Sequence, residues 1–174
     1  MQYLLIQSLA ILAFSGYSLA FYLPTRKQIL GWQVLFLLIW SIHFIFLGAM
    51  VGAVLIFMNA VKSFIFYFKK QDNWINKSIV LYGFLIIYLL LTIFFWEGWR
   101  SLLPMFAIWF VTFSNWQANS QKLRWIVLPS NILWFVYNLL VGSYGGMIAE
   151  MVMFLIIMGS IAKHNNKKRI ILSG

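Results

Sequence analysis

The chain has 174 residues, of which 63% are hydrophobic, 20% aromatic and only 9% charged, with a formal net charge of +10. Soluble domains average roughly 45–50% apolar and about 25% charged residues, so this composition excludes a water-soluble globular fold and specifies an integral membrane protein. The basic residues sit in short clusters between apolar runs, which argues against nucleic acid as a partner and marks them as topology signals.

The first apolar run lacks a basic leader and a small-residue cleavage pattern, so it reads as a retained span rather than a signal peptide. No segment alternates apolar and polar residues as a membrane β-barrel requires. At about 20 residues per helix, seven spans are expected, over residues 3–23, 30–47, 50–68, 79–96, 101–117, 123–141 and 145–163. The first stops at Pro24, before Arg26 and Lys27. Lys69, Lys70, Asp72 and Lys77 form the third connection, and Glu97, Gly98 and Arg100 the fourth. The C-terminal tail carries Lys163, Lys167, Lys168 and Arg169. Eleven lysines and arginines fall on the first, third and fifth connections and the tail, against Arg100 alone on the other side. The positive-inside bias then puts the N-terminus outside and the C-terminus in the cytoplasm.

Trp40, Gly48, Gly52 and Lys69 recur 94 residues later as Trp134, Gly142, Gly146 and Lys163. Each set marks an apolar helix ending at glycine, a short break, and a second apolar helix ending at a basic residue. The same offset lays the first span on the fifth. The expected fold is therefore an all-α membrane protein with seven transmembrane helices in a 3+1+3 parallel pseudo-repeat. Residues 1–70 form the first three-helix unit, 71–100 the linking helix with its loops, 101–164 the second unit and 165–174 a basic tail. The fourth helix supplies the reversal that keeps the two units parallel. Parallel repeats about an axis along the membrane normal are a transporter plan with the substrate site between them. In layout this is similar to the SWEET and PQ-loop transporters, although the chain has no PQ dipeptide.

Local motifs carry a second resemblance. His43-Phe44-x-x-Leu47-Gly48, Asn59-Ala60-x-Lys62-Ser63, Leu103-Pro104, Trp134, Asn138 and Gly142-Ser143-x-Gly145-Gly146-x-x-x-Glu150 resemble the YgjV-type bacterial inner-membrane proteins. The chain departs from that pattern at Lys62, where arginine is expected, and in the spacing of Gly48 and Gly52. The resemblance implies a bacterial inner-membrane location and no particular activity.

Few polar groups are costly to place in a bilayer. Glu150 lies about five residues into the seventh span, roughly 7 Å deep, and an intramembrane acid is a functional candidate by default. Asn59 is about 16 Å beyond Gly48 along its helix, near mid-membrane. Trp40, His43 and Leu47 share one helix face through their i+3 and i+4 spacing, as do Asn131, Trp134 and Asn138. If these faces meet, Trp40, His43, Asn59, Trp134, Asn138 and Glu150 line a pocket with aromatic walls and a few hydrogen-bonding groups, the usual make-up of a small-molecule site. The plainer alternative is interhelical hydrogen bonding, worth about 0.6 kcal/mol per pair. Pro129, inside the sixth span, is a hinge candidate. Lys62 is expected to snorkel to the inner interface.

Cysteine is absent, and His43 and His164 are too far apart in sequence to suggest a metal pair. No nucleophile–base set, phosphate loop or zinc signature is present, so neither enzyme activity nor a cofactor or metal is expected. The sequence points to a small-solute transporter working by alternating access between two three-helix units. Its partners are the lipid bilayer and a small polar solute. The second possibility is a non-transporting membrane receptor, binding or scaffold protein of the same architecture.

Overall fold

The computed structural model describes residues 2–69 and 77–173, and side chains over 5–69 and 77–164. Lys70 and Asp72, and the side chains of Lys167, Lys168 and Arg169, lie outside the described residues. Among the described residues seven α-helices follow one another: α1 Gln2–Leu19, α2 Arg26–Phe46, α3 Met50–Tyr67, α4 Ser78–Phe94, α5 Leu102–Trp116, α6 Ser120–Leu140 and α7 Tyr144–Ser173. A short 3-10 turn over Ala20–Tyr22 continues α1, and another over Trp99–Ser101 leads into α5.

Two boundaries correct the sequence expectation. Thr25 caps α2, its Oγ1 accepting from Gln28 N at 3.3 Å. Asn119 caps α6, its Oδ1 accepting from Gln121 N at 2.8 Å and Lys122 N at 3.2 Å. A side-chain cap satisfies amide donors that the first turn leaves orphaned. Arg26, Lys27, Lys122 and Arg124 therefore lie within helices rather than in loops. At the other end, α7 runs on in backbone through the segment read as a tail.

The two hairpins close in the same way. Gly48 (φ 70°) and Gly142 (φ 73°) take the left-handed conformation that ends a helix without a Cβ clash. Ala49 N donates to Phe44 O at 3.0 Å, and Ser143 N donates to Asn138 O at 2.9 Å. Caps Thr25 and Asn119, first residues Arg26 and Ser120, last residues Phe46 and Leu140, and restarts at Met50 and Tyr144 all fall 94 positions apart.

Among the described residues five helices are long and apolar enough to cross a membrane. The 17-residue α4 is apolar but shorter. The 15-residue α5 spans about 22 Å and gains length from its preceding 3-10 turn. Pro104 sits in the first turn of α5, where a missing amide hydrogen costs no helical bond. Pro129 lies inside α6 on its exposed face, and the helix continues unbroken past it.

Helices α1, α2, α3, α5, α6 and α7 pack in that order into a ring that closes where α7 meets α1. Helix α4 lies outside, against α3 and α5. It buries only Leu81, Phe84, Tyr88 and Thr92, a narrow stripe that leaves its remaining faces to lipid. Across the ring, Phe44 of α2 stacks on Trp134 of α6 with centroids 5.9 Å apart. Gly52 N of α3 donates to the Tyr137 hydroxyl of α6 at 3.2 Å. A Cβ at position 52 would lie 2.9 Å from that ring, so glycine permits this close approach.

Candidate functional site

The centre of the ring holds a small cavity of about 30 Å³, room for one or two waters at roughly 10–15 Å³ each. Every ring helix or its extension contributes to the wall. Tyr17 and Phe21 come from α1 and its 3-10 turn, Leu37 and Trp40 from α2, Ile56 and Asn59 from α3, and Val111 from α5. Val127, Ser130, Asn131 and Trp134 come from α6, and Glu150 from α7. Four pairs of wall residues stand 94 positions apart: Tyr17 and Val111, Leu37 and Asn131, Trp40 and Trp134, Ile56 and Glu150.

Four of the six expected site residues thus meet here: Trp40, Asn59, Trp134 and Glu150. Glu150 is 5% exposed, and its Oε2 accepts from Asn131 Nδ2 at 2.8 Å. Trp40 Nε1, Asn59 Oδ1 and Asn131 Oδ1 are buried without a hydrogen-bond partner among the described residues. Such groups are costly unless a partner arrives, and these three belong to residues that border this one cavity. Glu150 also has no cationic partner there, since the ion pair found among the described residues is Arg100–Glu97 at 3.9 Å.

His43 and Asn138 do not reach this cavity. Both are fully buried at one end of the ring, where α1 meets the α6–α7 turn. His43 Nδ1 lies 2.8 Å from Ile6 O, and Nε2 lies 2.8 Å from Ser143 Oγ. A carbonyl only accepts, so Nδ1 carries the proton, and in a neutral ring Nε2 then accepts from the Ser143 hydroxyl. Beside it, Gln7 Nε2 donates to Gly142 O at 3.3 Å, and Gln7 Oε1 accepts from Gly145 N at 2.9 Å. Asn138 packs under Gly146, where a Cβ would lie 2.6 Å from Asn138 Oδ1 and 2.5 Å from Ser143 Oγ. The i+3 spacing from Trp40 to His43 turns His43 toward this junction because Ile6 and Ser143 supply the acceptor and donor it needs.

At the opposite end, cations do the fastening. Arg26 donates through Nε to Asn115 O at 2.8 Å and through Nη2 to Phe66 O at 3.0 Å. Lys69 Nζ donates to Trp116 O at 2.9 Å. Arg124, fully buried, donates to Phe21 O and Leu23 O at 3.1 Å each. These groups satisfy the last carbonyls of α3, α5 and the α1 extension, where a positive charge also suits the helix dipole. Hydrogen bonds between α1–α3 and α5–α7 therefore close both ends of the ring, with the cavity between them.

Lys62 corrects another expectation. It is fully buried and does not snorkel, because Thr112 Oγ1 accepts from its Nζ at 3.2 Å. Asn131, Tyr17 and Arg124 were not among the expected site residues. Asn131 was legible as the residue one turn before Trp134. Arg124 gave no such signal, since a basic residue near a helix start reads as a topology marker.

A six-helix ring with a peripheral seventh helix, apolar outside and polar at its centre, defines a multi-pass helical membrane protein. The chain matches a family described as bacterial inner membrane protein, of the YgjV type, over residues 4–168. It belongs to that family. No curated protein and no solved structure matches it.

Proposed function

We propose that the chain is a small-solute transporter of the bacterial inner membrane, with the central cavity as its solute site. In this account α1–α3 and α5–α7 are two parallel three-helix units joined by α4, and they part at one end of the ring at a time. The N-terminus lies outside and the C-terminus in the cytoplasm, as the basic residues direct. The observation that carries the reading is the cavity's position. It lies between the two units, four of its wall pairs share the 94-residue offset, and polar atoms without partners among the described residues border it. The matching caps, glycine turns and helix bounds support the repeat, and the order of packing around the ring is unchanged when the units are exchanged. The present cavity fits only a water-sized occupant, so a larger solute requires the units to separate. Pro129 is positioned to let α6 bend during that step. No chemical conversion of the solute is part of the scheme.

The closed ends favour a second reading, a membrane binding protein that holds a ligand without moving it. Flux separates the two. Solutes that thermally stabilise the purified protein are tested in proteoliposomes. Transport predicts saturable uptake that is lost in both Asn59→Ala and Glu150→Ala. Binding that depends on these residues, with no flux in the wild type, would leave the binding-protein reading.

A further inference from the structure

Glu150 is a buried acid without a counter-charge. It is 5% exposed, and its Oε2 accepts from Asn131 Nδ2 at 2.8 Å. Two spaces flank it. One is the central cavity. The other is a groove between α6 and α7, lined besides Glu150 and Asn131 by five apolar side chains. Among the described residues neither space is lined by a lysine, arginine or histidine.

The cations of the surrounding helices are committed elsewhere. Arg124 of α6 lies two turns before Asn131, about 10 Å along the axis, and donates to Phe21 O and Leu23 O. Lys62 of α3 follows Asn59 by three residues but donates to Thr112 of α5. On α2, Arg26 fastens the carbonyls of Asn115 and Phe66, and His43 bonds Ile6 and Ser143. From α1 the titratable group on the cavity wall is Tyr17, a phenol that brings no positive charge.

A carboxylate taken out of water without a counter-charge binds a proton rather than stay ionised. The geometry leaves a place for it, since Asn131 occupies Oε2 and the proton goes on Oε1. We infer that Glu150 is a proton-binding site, loaded while the ring is closed and emptied into water when an end of the ring opens. The O–H bond breaks, water takes the proton, and no other bond changes. The closed ring therefore holds one proton more than the open one. By mass action a rise in pH favours the open ring and a fall in pH the closed one. The inference deepens the proposed function by naming the proton as a ligand of the same carboxyl group, and as a step of a transport cycle it rests on that reading.

The test has two readouts on the protein in lipid nanodiscs. Infrared difference spectra over a pH series should show a carboxylic-acid C=O band at neutral pH that is lost at high pH and absent from Glu150→Gln. The chain has three acidic side chains, the others being Asp72 and Glu97. If Glu150→Gln does not fold, persistence of the band in the Asp72→Asn, Glu97→Gln double variant assigns it by elimination. In the second readout a maleimide labels Ser130→Cys on the cavity wall, with the same thiol in Glu150→Gln as reference. The ratio of the two labelling rates should rise at least tenfold as the band disappears. No acid band at neutral pH, a band that survives Glu150→Gln, or a ratio independent of pH would overturn the inference. The two readings fail separately. A protonated Glu150 with pH-dependent opening but no solute flux would remove transport and keep the proton site. Solute flux with Glu150 ionised at neutral pH would remove the proton site and keep transport.

Discussion

The α2–α3 and α6–α7 hairpins share a backbone plan and differ inside. Their caps, glycine turns and helix starts coincide at an offset of 94 residues, whereas α1 (Gln2–Leu19) and α5 (Leu102–Trp116) do not coincide at that offset, against the expectation that the first span lies on the fifth. Apart from Trp40 and Trp134, the side chains facing the central cavity differ. Where α2 and α3 place Leu37 and Ile56, α6 and α7 place Asn131 and Glu150. Leu30 of the first region corresponds to Arg124 of the second, and Lys62 corresponds to Ile156. Turn chemistry sets the register of each hairpin, whereas a few inward positions set its polarity. The second region carries the carboxylate and its amide partner, while the first contributes Asn59 and the Trp40 indole N–H.

The largest effect that would sharpen this comparison is expected from Arg124→Leu, which gives α6 the residue of α2. It leaves Phe21 O and Leu23 O without their charged donor. Hydrogen bonds to charged groups contribute about 1.5–3 kcal/mol each, so a loss of about 3 kcal/mol in thermal unfolding is expected. A change near zero would mean that the charge at this end fastens nothing.

Next come Gly48→Ala and Gly142→Ala. Each forces a Cβ into the left-handed region, at a cost of roughly 1–2 kcal/mol. The two should cost the same within error. A large difference would break the equivalence of the turns.

Those turns are also where the sequence was most legible. A glycine with positive φ acts locally, so its role can be read from residue type and spacing, whereas the caps Thr25 and Asn119 were missed and the starts of α2 and α6 were placed too late. The aromatic pair Trp40 and Trp134 was legible for the same reason, since both lie on periodic apolar faces. What escaped depends on neighbours distant in sequence. His43 was expected in the cavity and instead bonds Ile6 and Ser143; Asn138, the local exception, is packed under Gly146 by the turn that follows it. Lys62 finds Thr112 on α5, fifty residues away. Helix-face periodicity says which side of a helix is inward, but not at which depth two inward side chains meet.

A smaller effect is expected from exchanging the equivalent positions 37 and 131. Asn131→Leu removes the donor to Glu150 Oε2 and should cost about 1 kcal/mol. Leu37→Asn loses buried apolar packing and buries an amide without an established partner, so its cost should be comparable rather than lower. Thermal unfolding of both variants checks this; a Leu37→Asn variant with no cost would mean that the cavity accepts polarity equally from either region.

The smallest change, and opposite in sign, is expected from Lys62→Met. Lys62 is a fully buried amine with one hydrogen bond to Thr112 and no ion-pair partner among the described residues. Replacing buried ionic groups by apolar ones of similar size is often neutral or stabilising, so a gain of about 1 kcal/mol is expected in the same assay. A clear loss would assign Lys62 a role that the Ile156 position lacks.

The claim that the two regions part alternately around the central cavity can be tested most directly by accessibility. The chain has no cysteine, so Ser130→Cys places a single, nearly isosteric thiol on the cavity wall. In oriented proteoliposomes, a membrane-impermeant maleimide applied from either side should label that thiol, and a stabilising solute should slow labelling from both. Labelling from one side only, or from neither, would contradict alternating access.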